Sequence, residues 1–405
     1  MRLLCPIKLV LQSLFNGPSI DPESGVRPIR IRPDGKTRPL RTHVRIKALV
    51  TAALLAVSLP SMTNWTFAQT APIVVQDLRG HTLTFGKPPE RIVTIPIPAA
   101  SIVIGLDGGV GRLSGMNPAA LSAIRGEWLG SVFPASLAIN THIVRGGQFM
   151  PSIETLLALK PDVVFQWADQ GPAIIEPIER AGLKMFGQRY GTQAYLEHTI
   201  AAIGTILGKE TKAQEIIHRH HAVRARVQAA MSELHDSERP RAIYFRTFSQ
   251  NLRPHGIGSY TVESFELAGG RNSATGVIGE GTNVTFEQVL AWAPQVIFLG
   301  AFDGAKPDDL YGNPRWAAVP AVRDRRVYLL PTGGYRWDPP NLESPLTWMW
   351  YSILLHPNRV SFDLRQEMDE LMALIYGRAP TDEEARRILR VAENSGSKGY
   401  ERIGR

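Results

Sequence analysis

The chain has 405 residues, 44% hydrophobic and 20% charged, enough to bury two ordinary domains. Its net charge of +8 is uneven: residues 1–68 hold ten Lys/Arg against three Asp/Glu, which leaves 35 against 34 for the rest. A nearly neutral globular part argues against a binder of nucleic-acid phosphates, and a single cysteine, Cys5, excludes a disulfide framework or a cysteine-based metal site.

The first expected element is a leader, residues 1–68. Arg41, Arg45 and Lys47 precede the apolar run ALVTAALLAVSL at 48–59, and Thr66-Phe67-Ala68 puts small residues at the −3 and −1 positions. That is the layout of a Sec signal peptide cleaved near Ala68, with a run too short to span a bilayer in the mature protein. The charged tract before it is long, so translation is expected to start near Val44. The mature chain is expected in a cell envelope or outside the cell. A first α/β lobe is expected over 69–195, a helical region over 196–236, a second α/β lobe over 237–395 and a frayed polar tail over 396–405.

In the first lobe, residues 73–95 read as a β-ribbon leading into a core strand, Ile92–Ile95, followed by a short helix, Ala99–Leu106, closed by Gly108 and Gly109. Residues 112–150 read as connections. Residues 172–181 suggest a helix and Leu183–Phe186 a strand. The segment 210–235, charged and free of Pro and Gly, reads as one long surface helix joining the lobes. The second lobe opens with strand Arg241–Phe245, then a helix over 262–268 ended by Gly269-Gly270. Arg326–Leu330 is a further strand; 344–356, 361–377 and 381–393 are helices. Strands alternating with helices predict an α/β protein with mostly parallel sheets.

Within this order one stretch occurs twice. Residues 152–165 read SIETLLALKPDVVF and residues 285–298 read TFEQVLAWAPQVIF. Each copy predicts a short helix capped by Ser152 or Thr285, carrying Glu154 or Glu287 in its first turn, stopped by Pro161 or Pro294, and followed by a continuously apolar strand. Two such copies predict two similar lobes, each displaying one acid at an equivalent place. The pair could meet two basic patches on a two-fold partner.

Ligands of open α/β sheets bind at the carboxyl ends of strands. The residues predicted there are Trp167 and Asp169, Arg189 and Tyr190, Arg246, Tyr260 in the next loop, and Tyr335, Arg336 and Trp337. Arginine supplies forked donors for anionic oxygens, and the aromatics supply apolar area and faces for cations. His218, His220 and His221 cluster on the helical segment without an acidic third ligand, so no metal site is assigned. Gly109-Val110-Gly111 follows a helix, the wrong context for a dinucleotide loop. No GxSxG, HExxH or Walker pattern is present, and no cofactor is expected.

Asp77-Leu78-Arg79-Gly80, Pro89-Glu90-Arg91-Ile92-Val93, Ile153-Glu154 through Val164, Ala268-Gly269-Gly270 with Asn272, Thr285-Phe286-Glu287-Gln288 through Pro294, and Val319-Pro320-Ala321-Val322 with Arg326-Val327-Tyr328 form an ordered set. It resembles the periplasmic binding proteins that serve ABC importers of iron–siderophore, haem, cobalamin and related metal chelates, over about 73–380. Gln295 stands where that family often has Asp. The resemblance implies two Rossmann-like lobes joined by one long α-helix, with modest closure on the ligand. It implies a monomer without catalysis that delivers a metal chelate to an ABC permease dimer in the inner membrane, Glu154 and Glu287 pairing with arginines on its two subunits. Two alternatives stay open: a free metal ion or an oxyanion such as molybdate as cargo, and a secreted enzyme on a similar scaffold.

Overall fold

The computed structural model describes residues 71–146 and 148–403. The expected leader, its cleavage site near Ala68 and Cys5 lie outside the described residues. The chain begins with an antiparallel ribbon, β1 (Ile73–Gln76) and β2 (Thr82–Phe85), which buries Val75, Leu83 and Phe85. Strand β3 (Ile92–Thr94) leads into helix α1 (Ala99–Asp107), which closes where Gly108 enters the left-handed region at φ 75°.

Residues 112–150 are more than connections. They contain strand β4 (Leu113–Met116), helix α2 (Pro118–Ile124) and helix α3 (Trp128–Val132). Gly115 disguised the strand, because glycine weakens a strand pattern. Here it is required: a Cβ at 115 would stand 2.7 Å from a methyl of Ile143 and 3.2 Å from one of Val93. Helix α4 (Ile153–Leu159), strand β5 (Val163–Trp167), helix α5 (Glu176–Arg180) and strand β6 (Met185–Gln188) complete the first lobe's sheet, all parallel, in the order β4–β3–β5–β6.

Helix α6 (Gln193–Leu207) and helix α7 (Glu210–Met231) follow, separated by left-handed Gly208. The second lobe then builds strand β7 (Arg241–Thr247), the short β8 (Arg253–Pro254), helix α8 (Tyr260–Leu267), β9 (Arg271–Asn272), helix α9 (Phe286–Trp292) and β10 (Val296–Leu299). Helices α10 (Pro307–Tyr311) and α11 (Pro320–Arg323) precede β11 (Val327–Leu329). Its sheet runs β11–β10–β7–β8, with β9 also on β7; only β8 is antiparallel. Helices α12 (Ser344–Leu355), α13 (Leu364–Tyr376) and α14 (Asp382–Ile388) close the chain. The fold is α/β with mostly parallel sheets, as the alternation of elements predicted, in two Rossmann-like lobes, as the resemblance implied.

The inner strands are largely apolar because both faces are covered, β10 and β11 at every position, while β5 carries Gln166 and β7 Arg246. On β10, Val296 and Phe298 face one cluster, Ile297 and Leu299 another. On β5, Val163 and Phe165 face the same central cluster as Phe298, while Val164 faces a third. The central cluster thus runs through both lobes, by way of α7, α12 and α13. Helix α7 is accordingly no solvated rod. Ala213, Ile216, Ile217, His220, Val223, Val227 and Met231 form a buried stripe along its 22 residues, about 33 Å of helix. His220 is therefore a core histidine, donating from Nε2 to Leu342 O (3.0 Å) and meeting Gln193 at Nδ1 (3.0 Å). Among the described residues no three His, Cys, Asp or Glu side chains converge to hold a metal.

Two local expectations change. Ser152 bonds Thr155 Oγ1 (3.0 Å) instead of capping its helix, whereas Thr285 and Gln288 form a full capping box. Both helices stop not at proline but one residue before it, at left-handed Lys160 (φ 46°) and Ala293 (φ 43°). Residues 396–403 of the expected tail are not frayed either: Tyr400 is buried, stacked on Tyr328 and bonded by Trp350 Nε1 (3.1 Å), and Ile403 is buried with it.

Candidate functional site

Parallel strands put all their carboxyl ends on one edge of each sheet, and the two edges enclose a cavity of about 200 Å³. The first lobe contributes Pro98 after β3, Phe149 before α4, Trp167 at the end of β5 and Tyr190 after β6. The second contributes Tyr244 and Arg246 from β7, His255 after β8 and Thr261 from α8. Glu280, Phe302 after β10, and Tyr335 and Asp338 after β11 complete that wall.

The repeat explains one asymmetry. In register with Trp167 the second copy has Gly300, where a Cβ would collide with the Tyr244 hydroxyl and stand 3.0 Å from Asp338 Oδ2. One lobe fills this position with an indole. The other empties it, and the Tyr244 hydroxyl donates to Asp338 Oδ2 there. Trp167 packs edge-on against Phe149 and Tyr190, each 5.9 Å between centroids.

Polar groups are arranged around that wall. Arg246 lies 3.4 Å from Glu280, with its guanidinium 5.0 Å from the centre of the Phe302 ring. The Thr261 hydroxyl donates to Asp338 O (3.0 Å), so its oxygen is free to accept from His255 Nδ1 at 3.2 Å. The proton on Nδ1 leaves Nε2 as a bare lone pair, and Nε2 has no partner. Burial, and then the charges of Arg246 and Arg253, push this imidazole down to about 3, so it is neutral at physiological pH. Burial pushes the Asp338 carboxyl up, against the Tyr244 hydroxyl bond, and its Oδ1 is also unpartnered. Trp167 Nε1 is a third buried polar atom without a partner. Burial raises Tyr190 well above its ordinary value and Tyr335 to about 12, so both keep a proton to donate.

Of the residues predicted at strand ends, the structure brings Trp167, Tyr190, Arg246 and Tyr335 to one cavity. It does not bring the others. Arg189 is exposed and lies over Tyr195, 6.0 Å from the ring centre, lining a small hollow that adjoins the cavity through Pro98, Trp167 and Tyr190. Asp169 is exposed on the rim side of β5. Arg336 stacks on Phe302 at 4.7 Å and donates to Ala301 O (2.8 Å) from outside the wall. Tyr260 is not in a loop; it opens α8, buried, and donates to Gln193 Oε1 (3.0 Å). Trp337 is fully buried and donates from Nε1 to Glu343 Oε2 (2.6 Å). Sequence reasoning missed His255, Asp338, Glu280, Phe302, Phe149 and Tyr244. Tyr244 was findable, since residues two apart on a strand share a face with Arg246.

Glu154 and Glu287 are both exposed on their helices. Glu287 meets Arg315 Nη2 at 2.9 Å, and its own helix-start N–H together with that arginine holds its carboxyl below the usual range. Glu154 has no ion-pair partner among the described residues.

A cavity at the carboxyl edges of two parallel sheets is what a two-lobed solute trap needs, and the model of the family described as periplasmic binding protein matches residues 125–332. The chain belongs to the periplasmic binding protein family. A periplasmic solute-binding protein from Veillonella parvula is 31% identical, with a TM-score of 0.73, over 80% of this chain and 98% of that one. The molybdate-binding protein MolA of Haemophilus influenzae is 25% identical over 347 residues, 78% of this chain and 92% of its own length. The Fe(3+)-citrate-binding protein YfmC of Bacillus subtilis is 22% identical over 259 residues, 63% of this chain and 77% of its own.

Proposed function

We propose that the chain is the solute-binding protein of an ABC importer, working in the periplasm, and that its cargo is a compact metal chelate. The observation that carries this reading is the bare Nε2 of a neutral, buried His255 in a cavity that also holds Arg246 and two protonated tyrosines. Nε2 would fill an open position on the chelated metal, as neutral imidazole does. Arg246, Tyr190 and Tyr335 would hold anionic oxygens of the chelator, with Trp167, Phe149 and Phe302 against its carbon. A cavity of about 200 Å³ lies below the ~300–1,000 Å³ typical for drug-sized ligands, which favours a hydroxycarboxylate-sized chelate over haem or a corrinoid. Glu154 and Glu287 would pair with arginines on the two permease subunits, adding orientation and encounter rate more than affinity.

The test is metal analysis and absorbance of protein taken from its native envelope, followed by titration with ferric citrate, cobalamin and molybdate. Ferric citrate binding that His255→Ala abolishes is the expected result. Cobalamin binding would refute the size argument. Molybdate binding without chelate binding would turn the assignment to a tetrahedral oxyanion. That second reading is favoured by the molybdate-binding relative and by the donors Arg246, Tyr190 and Tyr335; three acceptors, His255 Nε2, Asp338 Oδ1 and Glu280, oppose it. Glu154→Arg together with Glu287→Arg should abolish uptake and leave binding in solution intact.

A further inference from the structure

The internal repeat retains six identities, and they divide by burial. Val163 and Phe165, like Val296 and Phe298, are core strand residues, and the prolines follow the helix stops. The other three pairs, Glu154 with Glu287, Leu157 with Leu290 and Ala158 with Ala291, are all exposed. Folding gives no reason for an exposed leucine to recur: Leu157 is 48% and Leu290 39% accessible, two of the few large apolar side chains so exposed among the described residues. Residues i, i+3 and i+4 of a helix share a face. Each lobe therefore shows the same patch: an acid, a leucine beside it, and an alanine that lets another backbone come close.

Both patches belong to the cavity end of their lobes. The chain enters α4 from the wall residue Phe149 and reaches α9 shortly after the wall residue Glu280. The second lobe also shows the cation such a patch takes. Arg315 bonds Glu287 while its guanidinium lies 4.3 Å from the centre of the Phe286 ring, an acid-and-apolar seat already filled from within the chain. Among the described residues no such arginine serves Glu154.

We infer that Leu157 with Ala158, and Leu290 with Ala291, are apolar contact points of the permease-docking face, each seated in a socket that pairs an arginine with a hydrophobic floor and occurs twice on a two-fold partner. This rests on the docking of Glu154 and Glu287 proposed above. The acids steer and orient; the leucines, once dehydrated, hold the complex together.

The experiment is equilibrium binding of fluorescently labelled full-length mature protein to spheroplasts of the cells that make it, counting only what unlabelled wild-type protein displaces. Leu157→Ser and Leu290→Ser should each weaken binding about fivefold and the double variant about 25-fold, at every salt concentration, with an unchanged thermal midpoint. Leu157→Met with Leu290→Met should bind like wild type. Glu154→Gln with Glu287→Gln should instead remove the salt dependence. If the acid pair matters and the leucine pair does not, this inference is overturned and acid-mediated docking stands. If neither pair alters displaceable binding, or wild-type protein shows none, the docking reading itself fails.

Discussion

Replacing Glu343 with glutamine isolates the electrostatics beneath the ligand loop. Glu343 is fully buried under residues 333–338, the loop that carries Tyr335 and Asp338 to the cavity. Its Oε1 accepts from Gly334 N and from the Tyr376 hydroxyl, and its Oε2 from Trp337 Nε1, each at 2.6 Å. Burial nonetheless outweighs these bonds and raises the carboxyl from 4.5 to about 7. A raised folded-state value means that the fold favours the protonated acid: the contribution is complete below about 4.5 and is lost as pH rises through about 7. The shift corresponds to about 3 kcal/mol. Glutamine has the same shape and does not titrate, but its NH2 must face one of three donors, at a cost of about 1–3 kcal/mol. Glu343→Gln should therefore be less stable than wild type near pH 4.5, and the gap should shrink by about 3 kcal/mol by pH 8, where the two proteins become similar. The assay is urea unfolding of both proteins across that range. His220, pushed down to about 4 by burial, and His255, pushed down to about 3, act oppositely, losing stability as pH falls below 6.5. They cancel in the difference between the two proteins. A difference that does not change with pH would refute the argument.

Lys212 donates to Gly105 O (2.6 Å) in the last turn of α1 and to Ile375 O (2.7 Å) in the last turn of α13. Lys212→Met should cost about 2 kcal/mol in urea unfolding, from two helix C-termini losing one ammonium. Tyr260→Phe should cost about 1 kcal/mol of stability and leave ligand affinity unchanged by calorimetry, whereas Tyr335→Phe should weaken ligand binding with little effect on stability. Arg315→Ala frees Glu287 and should strengthen displaceable spheroplast binding about two- to threefold, an exposed ion pair being worth little more.

The fold was legible where one constraint acted alone. Strands covered on both faces are mostly apolar, so β5, β7, β10 and β11 stood out despite Gln166 and the arginines of β7, and the repeat exposed the kinship of the lobes. Legibility failed where a residue answered two demands. Gly115 looks like a strand breaker but is needed for close approach to Ile143. The polar residues of α7 drew attention from a buried stripe of only modest apolarity that includes a histidine. At the site, the rule that ligands meet strand ends found the correct edge but not the direction of each side chain. Within Tyr335, Arg336, Trp337 and Asp338 the successive residues face cavity, outer wall, core and cavity. His255 and Glu280 stand in segments with no strong pattern, so only the tertiary structure brings them to the cavity.

The continuity of the core decides how such a trap can work. The central cluster joins Phe165 of one sheet to Phe298 of the other through α7, α12 and α13, and Lys212 ties α7 to α1 and α13 together. The Tyr260–Gln193–His220–Leu342 chain of hydrogen bonds links α8, α6, α7 and the approach to α12 in the same region. A wide hinge opening would have to expose part of this cluster, at about 25 cal/mol for each Å² uncovered. The proposed trap would therefore close by small rocking of its lobes, with most cavity groups in place before a ligand arrives. On the proposed reading, selectivity would reside in the preformed pairing of a bare imidazole nitrogen with Arg246 and the two tyrosines, groups partly desolvated before a ligand arrives. If the exposed Glu-Leu-Ala patches dock as proposed, each moves with its own lobe, so even a small rocking on ligand capture would change their spacing, which a two-fold partner gripping both would sense.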